Sequence, residues 1–124
     1  MDEIKLSKLG HTWIIDLDGT IVKHNGYQSD GEDIFLPGAE KFLKEIPEKD
    51  LIVFLTSRTE VYRGITERFL AEHKIRYNHI IFNAPYGERI LINDNKPSGL
   101  KMGIAINKKR DGAMDVKIYE DDSL

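Results

Sequence analysis

The chain has no cysteine, which excludes a disulfide framework, a thiolate zinc site and a cysteine nucleophile. It also lacks any apolar run approaching the roughly 20 residues of a membrane-spanning helix. Its first residues, Met1-Asp2-Glu3, are acidic where a secretory leader is basic. The expected location is therefore cytoplasmic, with no membrane partner. Neither sign of charge dominates, since 18 basic and 21 acidic residues leave a formal net charge of −3. That balance offers no footprint for a polyanion, so no nucleic-acid partner is expected. Internal repeats and low-complexity tracts are missing as well. What remains is an ordinary globular composition, 40% apolar and 31% charged over 124 residues, which predicts one domain spanning 1–124 with a single core.

The most informative stretch is Trp-Ile-Ile-Asp-Leu-Asp-Gly-Thr at 13–20. A short, β-branched apolar run breaks there into two carboxylates one residue apart, followed by glycine. Such a run predicts a buried parallel strand carrying Asp16 and Asp18 at its carboxyl end, where ligands of open α/β sheets sit. Gly19 permits a sharp turn and close approach of a ligand to the backbone. Two carboxylates so near each other repel unless something neutralises them, and Mg²⁺ is the hard cation that suits oxygen ligands. One carboxylate is then placed to act as a nucleophile and the other to move protons.

Asp16-Leu-Asp-Gly-Thr20 resembles the first signature, DxDG[TV], of the haloacid-dehalogenase-like phosphohydrolases. The resemblance implies that Asp16 attacks phosphorus to form an aspartyl-phosphate. It implies that Asp18 protonates the leaving oxygen, then activates water, and lends its backbone carbonyl to the metal. The second aspartate points to phosphorus chemistry, because family members that act as dehalogenases usually lack it.

Taken in order, the chain alternates strands and helices. Residues 1–11 contain Ile4, Leu6 and Leu9 among lysines and predict a short edge strand. Residues 19–35, with Asn25-Gly26 at the tip, predict a β-hairpin flap beside the carboxylates, because Asn-Gly suits a turn with positive φ at both central residues. His24 and Tyr27 at that tip are candidate substrate contacts. Pro37-Gly38 introduces a packing helix over 39–46, and Leu51-Ile-Val-Phe-Leu55 reads as a second continuous apolar strand. A helix over about 60–73 follows, with Val61, Ile65 and Phe69 on one face and Thr59 as its N-cap. Further strands are expected at 78–82, 89–93 and 103–107, with the acidic end at 120–124 frayed. The predicted fold is α/β, a doubly wound, Rossmann-like, mostly parallel five-stranded sheet with helices on both faces, a hairpin flap and no cap domain.

Thr56 follows the second strand and opens a helix, so its hydroxyl and the next N–H groups are suited to a phosphate oxygen. Leu55-Thr56-Ser57-Arg58 resembles the family's second signature. Arg58 either clamps substrate or pairs with a carboxylate surface. Ile90-Leu-Ile-Asn-Asp94 again runs from an apolar strand into an acid, and the family likeness implies that Asp94 completes the Mg²⁺ site with Asp16 and the Asp18 carbonyl. Asn93 stands where the family often has another acid, which lowers the local negative charge. The family's basic partner of the nucleophile is least clear, since Ala84 occupies the expected lysine position before Pro85. Arg89, placed in a strand rising about 3.3 Å per residue, would stand roughly 16 Å toward the wrong end of the sheet. Lys96, just past Asp94, is preferred, with Arg89 held second. The expected assignment is thus Asp16, Asp18, Thr56 and Lys96 as catalytic residues. Gly19, Thr20, Ser57, Arg58, His24 and Tyr27 are the expected substrate contacts, and Asp16, Asp18 and Asp94 the metal ligands.

The Asn-Asp-x-Lys-Pro-Ser-Gly run and the small size look like capless phosphatases of capsule or surface-polysaccharide biosynthesis. That likeness implies a small phosphorylated metabolite, a sugar phosphate or an amino-alcohol phosphate, as substrate. With no cap, specificity falls to the flap, the carboxyl-terminal residues or a second subunit of a homodimer. Lys108-Lys109-Arg110 reads as a solvated turn. Two other functions fit the same residues. An open site admits a phosphoprotein or a polynucleotide end, and Thr-Ser-Arg is similar to some polynucleotide phosphatases. Asn93 and Ala84 suit a phosphate- or partner-binding module with weakened catalysis.

Overall fold

A computed structural model describes residues 3–124. Its centre is a parallel three-stranded sheet, β2 (Thr12–Asp16), β3 (Leu51–Leu55) and β4 (His79–Ile81), in that spatial order. The register pairs Asp16 with Leu55 and Leu55 with Ile81, so the three strands end level. That alignment sets Asp16, Thr56 and Phe82 along one edge. A separate parallel pair joins β1 (Glu3–Leu6) to β5 (Lys117–Glu120). The edge strand expected in 1–11 is therefore realised over Glu3–Leu6, while Met1 and Asp2 lie outside the described residues.

The helices are α1 (Gly26–Ser29), α2 (Ala39–Glu45) and α3 (Arg63–Glu72), the last preceded by a 3₁₀ turn, Glu60–Tyr62. Side chains alternate along a strand, and in-register Trp13, Ile15, Ile52 and Phe54 join one cluster with Ala39 and Leu43 of α2 and Leu70 of α3. The opposite side of β2 is open, with Ile14 56% exposed. The α/β class and parallel pairing hold. The expected single five-stranded sheet does not: the five strands divide into two sheets, and the core packs on the face that carries Ile15, Ile52 and Phe54.

The largest departure lies at 89–93 and 103–107, where no strand forms. Ile90 and Ile92 are 83% and 90% exposed. An apolar run becomes a strand only by exchanging a ladder of hydrogen bonds with a neighbour, and neither run has one among the described residues. The runs touch through the Leu91 side chain, 3.4 Å from where a Cβ on Gly103 would stand. The strand that does form late is β5. Its last residue, Glu120, begins the stretch expected to fray, and the chain beyond it is tied down by Asp121 N–H donating to the Leu6 carbonyl.

The flap also differs at its tip. Val22 and Phe35 make an antiparallel bridge, and Leu36 N–H donates to Ile21 O, closing the loop as expected. Asn25 has φ 56° but Gly26 does not share a positive φ, so the tip forms the single helical turn α1 rather than the mirror-image turn of a hairpin. In α3 the buried positions are Thr66 and Leu70, while Val61 and Ile65 of the expected stripe are exposed. Arg58 donates to the Thr66 hydroxyl, which in turn donates to the Tyr62 carbonyl. Those bonds draw the Thr66 face inward. Thr59 precedes the 3₁₀ turn in extended conformation and makes no side-chain cap.

Candidate active site

Asp16 is the last residue of β2, and its carboxylate is held at both oxygens. The Thr20 hydroxyl donates to Oδ2 at 2.9 Å and Arg89 Nη1 donates to Oδ1 at 3.2 Å. About a third of the side chain remains exposed, 31%, so the oxygens are oriented yet reachable. Arg89 Nη2 also lies 3.4 Å from the Ser57 hydroxyl. Arg89 ranks second to Lys96 only if 89–93 is a strand; without that strand its guanidinium reaches the nucleophile candidate. Lys96 instead belongs to a local turn, its N–H donating to Leu100 O and its carbonyl accepting from Gly99 N–H.

Asp18 faces a different cation. Arg58 Nε donates to Oδ2 at 3.0 Å and Nη2 to Oδ1 at 2.9 Å. The same guanidinium grips Asp33, with Nη1 to Oδ2 at 3.0 Å and Nη2 to Oδ1 at 2.7 Å, and Nη1 also reaches Thr66 Oγ1 at 2.8 Å. The Tyr27 ring stacks on its face, 4.0 Å from guanidinium carbon to ring centroid, and Tyr62 braces Tyr27 edge-on at 4.7 Å. Burial would lower the Arg58 pKa, but the hydrogen bonds to Asp33 and then Asp18 outweigh it and hold the group above the ordinary arginine value. Of the two roles open to Arg58, the structure has it pairing with carboxylates. Tyr27 accordingly lies against Arg58, and burial first, then the Asp18 charge, raises its phenol pKa.

Thr56 is fully buried, and its hydroxyl accepts the Arg58 N–H at 3.1 Å. It therefore shapes the turn that aims Arg58. Gly19 has φ 81°, and a Cβ there would fall 2.9 Å from Arg110 Cγ, so this position needs both glycine's backbone freedom and its bareness. Asp111 locks the neighbouring loop, its N–H donating to Gly19 O and its Oδ1 accepting from His24 N–H at 2.8 Å. His24 thus reaches Asp111 through its backbone, while its Nδ1 is buried without a hydrogen-bond partner. The turn at 108–112 is solvent-exposed as expected, and through Asp111 it also ties down the carboxylate loop.

The expected trio of metal ligands does not gather. Among the described residues no group of three His, Cys, Asp or Glu side chains is arranged to hold a metal ion, and Asp94 sits in an exposed segment beside the Asn93 amide. Both oxygens of Asp18 are occupied by Arg58. The metal ligand expected of Asp18 is its backbone carbonyl, which the side-chain pairing with Arg58 does not use, and the Asp16 carboxylate is the side-chain donor at the end of β2. Asp33 is the residue that sequence reasoning missed. Nothing in its spacing marks it, since its partner Arg58 stands 25 residues away.

No protein-family model matches the chain, and no curated protein matches it. A solved structure does: a chain of the Pnkp1/Rnl/Hen1 RNA repair complex, 27% identical, with a TM-score of 0.52 over 69% of this chain. The match spans 30% of that protein's length. Among the described residues no helix is long and apolar enough to cross a membrane.

Proposed function

We propose that the chain is a phosphomonoesterase whose nucleophile is Asp16. The observation that carries this is the setting of Asp16: a partly exposed carboxylate at the carboxyl end of β2, oriented by the Thr20 hydroxyl and accompanied by the Arg89 guanidinium. An Asp16 carboxylate oxygen attacks phosphorus as the bond to the leaving oxygen breaks, Asp18 gives that oxygen its proton, and an aspartyl-phosphate forms. Water then gives a proton to Asp18 and attacks phosphorus, the bond from phosphorus to Asp16 breaks, and phosphate leaves. Arg89, beside the nucleophile, stabilises charge building on the phosphoryl oxygens. Mg²⁺ is the expected added ion, and it would supply further neutralisation of that charge.

The leading substrate class is a small phosphorylated metabolite, a sugar phosphate or an amino-alcohol phosphate, since the site is open and the formal net charge is −3. A second substrate class, the terminal phosphate of a polynucleotide, is favoured by the likeness to a member of an RNA repair complex. Phosphate release from an aryl phosphate, a panel of phosphorylated metabolites and a phosphate-ended oligonucleotide, with and without Mg²⁺, tests both. Loss of release in Asp16→Asn is the expected result. Activity persisting in that variant removes Asp16 as nucleophile, and preference for the oligonucleotide replaces the first substrate class with the second.

A further inference from the structure

We propose that Arg58 and Asp33 form a brace that fixes the direction of the Asp18 carboxylate, making both of them positioning residues for the proton-moving group. The proposal rests on the phosphomonoesterase reading above. A guanidinium has five N–H donors. Here each has an acceptor: Nε and one Nη2 hydrogen on Asp18, the other Nη2 and one Nη1 hydrogen on Asp33, and the last on Thr66. No donor remains for a substrate. The group is saturated by its own fold.

Burial assigns direction to the network. The side chains of Arg58 and Asp33 are 1% and 3% exposed, whereas Asp18 is 16% exposed. Asp18 is the end of the chain of contacts that meets solvent. Behind it, two separate parts of the fold hydrogen-bond the planar cation, the flap through Asp33 and α3 through Thr66, while the Thr56 hydroxyl in the turn after β3 holds the Arg58 backbone N–H. Tyr27 covers the guanidinium face. A rotation of Arg58 would break several of these at once, so Asp18 is left with one orientation.

Holding a carboxylate from one side need not disable it. An ionised carboxylate offers about four lone-pair positions, and Arg58 uses one on each oxygen. The remaining positions face the exposed side. Preorganising them in one direction spares the reorganisation that a freely rotating side chain would need at each turnover. Asp33 contributes by gripping the far edge of the cation, which ties the flap to the proton-moving residue.

Arg58→Lys keeps the charge but cannot bridge two carboxylates in the plane of a fork. Asp33→Asn keeps the shape but turns one acceptor into a donor. The measurement is kcat and KM for an aryl phosphate and an alkyl phosphate, with the folded fraction set by thermal unfolding. Alkyl esters depend more on proton delivery to the leaving oxygen, and general acid–base assistance is worth about 10²- to 10⁴-fold. The expected result for Arg58→Lys is a kcat loss about tenfold larger on the alkyl than on the aryl ester, with KM nearly unchanged; Asp33→Asn gives the same pattern, smaller. Should Arg58→Lys fail to fold, Asp33→Asn carries the test. Equal losses on both esters, or a change confined to KM, overturn the brace while leaving Asp16 chemistry intact. A wild-type protein that hydrolyses neither ester overturns the phosphomonoesterase reading and the brace together.

Discussion

Arg89 donates to Asp16 across 73 residues of chain, Nη1 to Oδ1 at 3.2 Å. The contact reverses the ranking of the two candidate cations, because the residues around Arg89 form no strand and are free to bring it back to the end of β2. Both partners are partly exposed, 38% and 31%. An exposed pair contributes only about 0–1 kcal/mol to stability, so its value is in chemistry. Arg89→Ala should lower kcat/KM by about 10²-fold, in line with the loss of one transition-state donor, and leave the unfolding midpoint nearly unmoved. Lys96→Ala should change neither. Steady-state kinetics with urea unfolding on both variants checks the contrast.

Arg58 behaves in the opposite way, because it sits inside. Replacing it with Met leaves Asp18 and Asp33 facing each other without a cation between them. Breaking a buried ion pair by removing one partner typically costs about 3–5 kcal/mol. Arg58→Met is expected to lose stability in that range in urea, and adding Asp33→Leu to it should recover part of the loss, since the uncompensated buried charge is then gone. A double-mutant cycle reads this coupling.

What was legible beforehand follows from where the physics is local. Asp16 and Thr56 were placed correctly at strand ends because each closes a continuous apolar run, and in-register pairing of Asp16 with Leu55 then brings the two ends level. The same rule failed at Ile90 and Ile92, since apolarity names a candidate strand while only a partner edge makes one. Which of its two readings Arg58 takes, and the role of Asp33, were out of reach for another reason. A buried ion network joins residues by tertiary position, and neither spacing nor periodicity encodes which carboxylate a guanidinium will meet. The inward face of α3 was read correctly at Phe69, which packs against the core, and wrongly at Val61 and Ile65, which satisfy the same helical period while hydrogen bonding at Thr66 decides which side turns in.

Gly38 and Gly31 separate backbone strain from crowding. Both have positive φ, 78° and 79°. A Cβ on Gly38 would stand 2.7 Å from the Met114 carbonyl oxygen, whereas one on Gly31 would meet nothing within 4 Å. Gly31→Ala should therefore cost about 1 kcal/mol, the left-handed penalty alone. Gly38→Ala should cost clearly more, because the Met114 backbone must move and Met114 N–H is bonded to Pro37 O. Chemical denaturation of the pair measures the difference.

Alkaline pH should weaken the fold through its tyrosines. Burial raises the phenol pKa of Tyr27 and of Tyr77 above the ordinary value of 10.0. Above that value the unfolded chain releases these protons while the folded chain keeps them, so the folded state binds more protons and stability falls as pH rises. Below it both states are protonated and neither tyrosine contributes a slope. Urea midpoints at pH 9 and pH 11 should differ in that direction, and Tyr27→Phe should reduce the difference.

Asp50 tests whether the fold can be weakened without touching the chemistry. It is buried at the amino end of β3, the opposite end from Asp16. Its Oδ1 accepts the His11 N–H at 3.0 Å and its Oδ2 the Trp13 indole N–H at 2.9 Å. Removing the carboxylate strands both donors, and a buried unsatisfied polar group costs about 1–3 kcal/mol. Asp50→Ala is expected to lose at least that much in urea unfolding. Its kcat per folded molecule should match the wild type, because the level ends of β2, β3 and β4 that set Asp16 beside the turn of Thr56 are held by the strand ladder and by the cluster around Phe54. A fall in kcat of the kind expected for Arg89→Ala would mean that the amino ends of the strands control the geometry of the carboxyl ends.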